Sequence, residues 1–89
     1  MFTVYILISL KDQKRYIGLT ENLERRIYEH NSGLVKSTRN RRPLKLIHTE
    51  NFETKKEAES KEKFYKTGKG RELLKNLNIN KAVAHTDPG

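Results

Sequence analysis

Apolar positions along the chain fall into six blocks, and the spacing inside each block distinguishes strands from helices. Phe2 to Leu10 is almost continuously apolar and rich in β-branched and aromatic residues, the pattern of a strand covered on both faces and therefore central in its sheet. The polar run Lys11-Asp12-Gln13-Lys14 interrupts it. Strand-like alternation resumes from Arg15 to Thr20, which predicts a hairpin. From Asn22 to Leu34 the spacing becomes helical, with Leu23, Ile27 and Leu34 as the buried stripe and Asn31-Ser32-Gly33 as a helix end with a permissive glycine. Val35 to Pro43 is polar and reads as a loop or a short helix, and Leu44 to Phe52 alternates loosely as a third strand. Thr54 with Glu57 three residues later has the form of a capping box, which starts a second long helix running to about Thr67. Gly68-Lys69-Gly70 is expected to break it, and Arg71 to Leu77 predicts a short terminal helix with Leu73, Leu74 and Leu77 facing inward. The resulting order, β-β-α-β-α-α, is that of a small α+β domain.

At 89 residues the chain makes one domain with a small core. Residues 1–80 form that domain in this reading; residues 81–89 lack periodicity, end in Asp87-Pro88-Gly89 and read as a flexible tail. Cysteine is absent, which excludes disulfides and thiolate metal sites, so stability must come from packing. The net charge of +8, with no stretch approaching the roughly 20 apolar residues of a membrane span, points away from a membrane and toward a polyanionic partner, above all nucleic acid. The plainer alternative is a positive surface that merely keeps the protein soluble. The N-terminus runs straight into a strand pattern with no visible secretion signal, so a cytoplasmic location is expected.

Tyr5 and Tyr16 lie on the two hairpin strands, and side-chain alternation places them on one face only if paired residue numbers sum to an odd value, as with a two- or four-residue loop. A strand tyrosine alone usually serves as half-buried packing with a wet hydroxyl. Gly18, inside the second strand, marks a bulge or the close approach of a ligand or backbone. Arg26 and His30 are one helical turn apart beside the apolar stripe, so a guanidinium and an imidazole are held near the sheet. A fixed guanidinium can neutralise the charge of a phosphoryl transition state through paired hydrogen bonds. A histidine near a helix end can instead interact with the helix dipole.

Glu62 is the anomalous acid, because Ala58, Glu62 and Tyr65 follow helical spacing and put a carboxylate on what should be the core-facing stripe. A cation must neutralise it. A divalent ion is one answer, since one carboxylate with waters and a substrate phosphate is a common Mg²⁺ arrangement; a salt bridge to Lys61, Lys66 or an arginine of the first helix is the other. Lys36, Arg39, Arg41 and Arg42, with the hydroxyls of Ser37 and Thr38, form a candidate phosphate-contacting segment, and Lys66, Lys69 and Arg71 can extend it. The plainer reading is a solvated loop. No nucleophilic-serine order, glycine-rich nucleotide loop or paired-histidine zinc motif is present, and His48 and His85 are isolated.

These residues resemble the GIY-YIG nuclease family, and in particular its small stand-alone members similar to the N-terminal nuclease domain of the excinuclease C subunit. The resemblance covers roughly Phe2 to Leu77. Val4-Tyr5-Ile6 stands at the first signature, with Val4 in place of its glycine, and Tyr16-Ile17-Gly18 matches the second. Leu19 through Arg26 matches the segment leading to the family's arginine, which falls on Arg26 rather than Arg25; His30 stands where relatives carry histidine or tyrosine, and Glu62 at the metal-binding glutamate. Many members also carry an asparagine beyond the glutamate helix, and Asn76, Asn78 and Asn80 lie in that neighbourhood. The resemblance implies a three-stranded antiparallel sheet flanked by helices, with the site on one sheet face. It implies a Mg²⁺- or Mn²⁺-dependent endonuclease, with catalytic Tyr5, Tyr16, Arg26, His30 and Glu62, acting on DNA by structure rather than sequence in repair or recombination. RNA, a branched or nicked DNA, and a helper protein or homodimer are partners compatible with it. The alternative is a non-catalytic nucleic-acid-binding module of the same fold that acts with a partner protein.

Overall fold

The computed structural model describes residues 1–75; the expected tail at 81–89, Asn76, Leu77, Asn78, Asn80 and His85 lie outside the described residues. Strand β1 (Phe2–Ser9) is followed by β2 (Arg15–Thr20), α1 (Leu23–Asn31), a 3₁₀ turn (Arg39–Arg41), β3 (Leu44–Phe52) and α2 (Lys55–Tyr65). A further helix, α3, occupies 68–75. The three strands form one antiparallel sheet in the order β2-β1-β3. This is the α+β architecture expected from the pattern, with the near-continuously apolar strand at the centre.

Alternation along β1 divides the molecule into three layers. Val4, Ile6 and Ile8 face α2 and α3 and pack with Ile47, Ala58, Tyr65 and Leu74. Tyr5 and Leu7 face α1 and pack with Leu44, Tyr16, Leu23 and Ile27. Both faces of β1 are therefore sealed, which is why its sequence lacks polar relief. A bulge in β3 sits between the pairs Ile6–His48 and Leu7–Leu46, so the register shifts by one residue at Ile47 and both Ile47 and His48 turn toward the α2 side.

Helix ends follow the local chemistry. Asn22 caps α1 through its side-chain oxygen, which accepts from Arg25 N–H at 3.1 Å. The other end closes with Gly33 N–H donating to His30 C=O at 3.3 Å and Leu34 N–H donating to Glu29 C=O at 3.0 Å, with Gly33 at φ +82°. That reversal ends the helix three residues before the periodicity suggests, and leaves Leu34 70% exposed rather than in the buried stripe. The capping box of Thr54 and Glu57 is formed at the start of α2. The break between α2 and α3 falls at Lys66-Thr67, because Thr67 Oγ1 accepts from Gly70 N–H at 3.1 Å and caps the next helix. Gly68 and Gly70 thus belong to the first turn of α3, not to a linker, and Leu73 is 49% exposed while Leu74 is buried.

Candidate functional site

The hairpin register decides where the two phenols point. Paired residues of β1 and β2 sum to 23, with Tyr5 opposite Gly18, so Tyr5 and Tyr16 lie on the same face, the one covered by α1. Their ring centroids are 6.2 Å apart. Gly18 is needed directly across from Tyr5: a Cβ there would lie 2.3 Å from the Tyr5 ring carbon Cζ and from its hydroxyl oxygen.

Helix α1 delivers the cation and the imidazole to the same place. Arg26 Nε donates to the Tyr5 hydroxyl at 3.2 Å, and its Nη1 pairs with Glu29 at 3.1 Å. Arg25 projects outward, 75% exposed, so the arginine at the site is Arg26. His30 is completely buried; its Nε2 lies 2.9 Å from the Tyr5 oxygen and its Nδ1 lies 2.8 Å from Thr38 Oγ1. Its ring sits edge-on to both tyrosines, with centroids 5.6 Å from Tyr5 and 4.9 Å from Tyr16. Burial rather than the helix dipole therefore governs His30.

Electrostatics follow from this enclosure. Burial pushes the Tyr5 phenol up to about 12, outweighing the hydrogen bond from Arg26 that pulls the other way. His30 is held below its usual range, first by burial and then by the nearby Arg26 charge, so the ring is neutral at pH 7. Arg26 is held more firmly protonated by its bond to Tyr5. Glu29 is kept ionised by the hydrogen bond from Arg26.

Glu62 stands apart from the other four. It projects from α2, which packs on the opposite face of the sheet, and its carboxylate meets Lys66 at 3.4 Å. Its side chain is 22% exposed, so the cation required by its half-buried position is supplied by Lys66, one of the two outcomes the sequence allows. Two clefts open on either side of β2: one of about 440 Å³ lined by Thr20, Asn22, Arg26 and Glu29, and one of about 790 Å³ lined by Tyr16, Ile17, Lys66, Arg71 and Leu74. Lys66, the partner of Glu62, thus shares a cleft with Tyr16.

Among the candidate phosphate contacts, Lys36, Ser37, Arg39, Arg42, Lys69 and Arg71 are exposed. Arg41 is half-buried and faces Asp12 at 3.3 Å, which withdraws it from the free surface. Thr38 is a correction: it is 0% exposed and bonded to His30, so its hydroxyl is not presented to a phosphate. Glu29 and Asn31 are additions that the sequence reading misses. Glu29 is signalled by its spacing three and four residues from Arg26 and Arg25. Asn31 clasps β3 by accepting from Leu44 N–H at 3.0 Å and donating to Leu44 C=O at 3.2 Å, for which the sequence carries no signal.

The GIY-YIG catalytic domain profile matches residues 1–78. The chain belongs to the GIY-YIG family. Within it, the UPF0213 protein CPE1444 of Clostridium perfringens is 52% identical over 64 residues, 71% of this chain and 68% of that one. The UPF0213 protein in the ldhD 5' region of Pediococcus acidilactici is 42% identical over 88 residues, 96% of this chain and 89% of that one. The solution NMR structure of the UPF0213 protein BH0048 from Bacillus halodurans superposes with a TM-score of 0.53 at 40% identity, covering 86% of this chain and 85% of that one. Within the matched segment, Tyr5 and Tyr16 are joined in space by Arg26 and His30. No helix among the described residues is long and apolar enough to cross a membrane.

Proposed function

We propose that this GIY-YIG domain is a divalent-metal-dependent endonuclease that hydrolyses phosphodiester bonds in DNA, directed by structure rather than sequence, in cytoplasmic repair or recombination. The observation that carries the reading is the unbroken contact from Arg26 through Tyr5 to His30, 3.2 Å and 2.9 Å, on one sheet face. Arg26 uses Nε on Tyr5 and Nη1 on Glu29, which leaves further N–H groups of its five free to grip a phosphate.

A phenol with a pKa near 12 is ionised in only about one part in 10⁵ at pH 7, so Tyr5 is not a preformed base. It acts as a conduit. As the water oxygen attacks phosphorus, the water proton passes to the Tyr5 oxygen and the Tyr5 proton passes to Nε2 of neutral His30; the phosphorus bond to the leaving oxygen breaks and that oxygen is protonated by solvent. Tyr16 packs against the imidazole and fixes its plane.

The Glu62 carboxylate, a hard oxygen donor whose one hydrogen-bond partner among the described residues is Lys66, is the residue that would hold Mg²⁺ or Mn²⁺, the remaining ligands being water and substrate phosphate. Bound there, such an ion would supply Lewis-acid stabilisation of the developing charge. The exposed cations Lys36, Arg39, Arg42, Lys69 and Arg71 would hold the backbone, with a steep salt dependence.

The test is cleavage of a panel of nicked, branched and duplex DNAs with Mg²⁺ or Mn²⁺. Arg26→Ala and Glu62→Ala are each expected to abolish cutting with little change in thermal unfolding. Parental cutting rates in either variant would overturn the assignment. The separation of Glu62 from the other four favours a second reading, a binding module acting with a partner protein, for which the parent protein would bind the panel and cut none of it.

A further inference from the structure

A neutral histidine carries one ring proton, and the function of His30 depends on which nitrogen holds it. The hydroxyl of Thr38 does not decide this by itself, because a hydroxyl can donate to a bare Nδ1 or accept from a protonated one. The decision comes from the far side of the ring. Among the described residues the Tyr5 oxygen has two partners in hydrogen-bond geometry, Arg26 Nε at 3.2 Å and His30 Nε2 at 2.9 Å; the Tyr16 hydroxyl is a neighbour that makes no bond of that geometry. A guanidinium only donates. Were Nε2 protonated, the buried Tyr5 oxygen would face two donors and its own proton would be turned away from both, an expensive arrangement for a residue 1% exposed. The arrangement that satisfies all three groups has Tyr5 O–H donating to a bare Nε2, and the ring proton on Nδ1.

We infer that Thr38 is a positioning residue: with the tautomer set from the Tyr5 side, its Oγ1 accepts the Nδ1–H of His30 and fixes the ring so that the bare Nε2 faces the Tyr5 proton. This inference rests on the nuclease reading only for its effect on rate; the tautomer stands independently. Thr38 is suited to the task because it is fixed on both sides. Its N–H donates to Val35 C=O at 3.1 Å, and its C=O accepts from Arg41 N–H at 2.9 Å, so the hydroxyl is delivered by a rigid turn rather than a mobile loop. That turn also carries Arg39 and Arg42, so the surface that meets a polyanion and the group that orients His30 are parts of one segment.

The experiment uses the full chain with ¹⁵N-labelled histidine. Long-range ¹H–¹⁵N correlation reads which His30 nitrogen bears the proton, and cleavage kinetics are measured in parallel. The expected result is a proton on Nδ1 in the parent, in Thr38→Ser and in Thr38→Val, which keeps the shape and removes the hydroxyl, with the kinetic loss confined to Thr38→Val. Thr38→Val is expected to lower kcat about 10- to 100-fold, by analogy with removal of the outer hydrogen-bond partner of a metal-ligating histidine, with KM unchanged and with rescue by Thr38→Ser. A parent ring protonated on Nε2, or a Thr38→Val protein with unchanged kcat, would overturn the assignment. If Thr38→Val does not fold, the parent tautomer and the Thr38→Ser kinetics decide. If the parent cuts no DNA yet shows the expected tautomers, the nuclease reading fails and the positioning role of Thr38 survives.

Discussion

Gly18→Ala isolates the requirement for close approach between the two hairpin strands. The added Cβ would lie 2.3 Å from both Cζ and the hydroxyl oxygen of Tyr5 and 2.8 Å from Cε1, where ordinary contact begins near 3.4 Å. At least about 1 Å of movement is required, a distance larger than the whole range over which a hydrogen bond forms. Tyr5 cannot swing outward, because it is 1% exposed and packed among Leu7, Leu44, Leu23 and Ile27. Overpacking of this kind costs about 1–3 kcal/mol, and loss of the buried Tyr5–His30 hydrogen bond adds about 1 kcal/mol. The sum, about 2–4 kcal/mol, corresponds to a fall in Tm of at least about 8 °C for a domain of this size. Differential scanning calorimetry checks the stability, and the cleavage assay checks whether Tyr5 has left Arg26 and His30. Two other glycines are built-in controls. Gly68 has open space where an added Cβ would go, with nothing within 4 Å, and lies in a helix, so Gly68→Ala should be neutral or stabilising by up to about 1 kcal/mol; at Gly70 the Cβ would meet Phe64 O at 2.0 Å, so Gly70→Ala should destabilise. A Gly18→Ala protein that melts within about 2 °C of the parent, well short of the expected fall, and cuts normally would refute the reasoning.

The remaining predictions concern pH and the opposite face of the sheet. His30, flanked by Tyr5, Tyr16, Arg26 and Glu29, is held below its ordinary 6.5, so the unfolded chain takes up its proton first. Stability from this group is therefore complete above pH 6.5 and is lost as pH falls below it toward the folded value. Thermal melts should decline in that window, ahead of the carboxylates Asp12, Glu29 and Glu50, whose ordinary values of 3.8 and 4.5 are lowered further; His30→Gln should flatten the decline, and an unchanged slope would refute the assignment. Tyr65 donates its hydroxyl proton to Glu50, which also meets His48 at 2.7 Å and Lys61 at 3.8 Å. Tyr65→Phe removes one of three partners without orphaning the acid, for an expected cost of about 1–2 kcal/mol by urea denaturation, and a change under about 0.5 kcal/mol would refute it.

Local signals specify most of the fold and part of the site. The apolar run of β1, the capping box of α2 and the glycine that closes α1 are all readable because each is a short-range pattern with one physical solution. The exact end of α1 is not, since Leu34 keeps helical spacing while Gly33 has already reversed the chain. The glycines at 68 and 70 look like breakers, yet Thr67 makes the break and Gly70 admits α3 to the end of α2, a tertiary demand with no local trace. Tyr5, Tyr16, Arg26 and His30 are readable because strand parity and one helical turn determine their direction. Thr38 is hidden among cations that mark the segment as surface. Its one signal is the three-residue spacing from Val35, which places two buried side chains on one side of a turn.

The same alternation that gathers the phenols explains why Glu62 arrives in another layer. Even-numbered β1 residues face α2, odd-numbered ones face α1, and no side chain of the central strand can serve both. A group on α2 can approach the Tyr5 face only around an edge of the sheet, and β2 is the edge next to the tyrosines. The cleft of about 790 Å³ follows that edge, walled by Tyr16 from the hairpin and by Lys66 from the end of α2. Lys66 already neutralises Glu62, at 3.4 Å and with its own side chain 55% exposed, so the pair is weak and exchangeable. On the nuclease reading, a phosphodiester lying along β2 would compete with Glu62 for this ammonium. Both faces of the sheet carry apolar core, so Glu62 and the Tyr5 face are separated by that core and can meet only around the β2 edge.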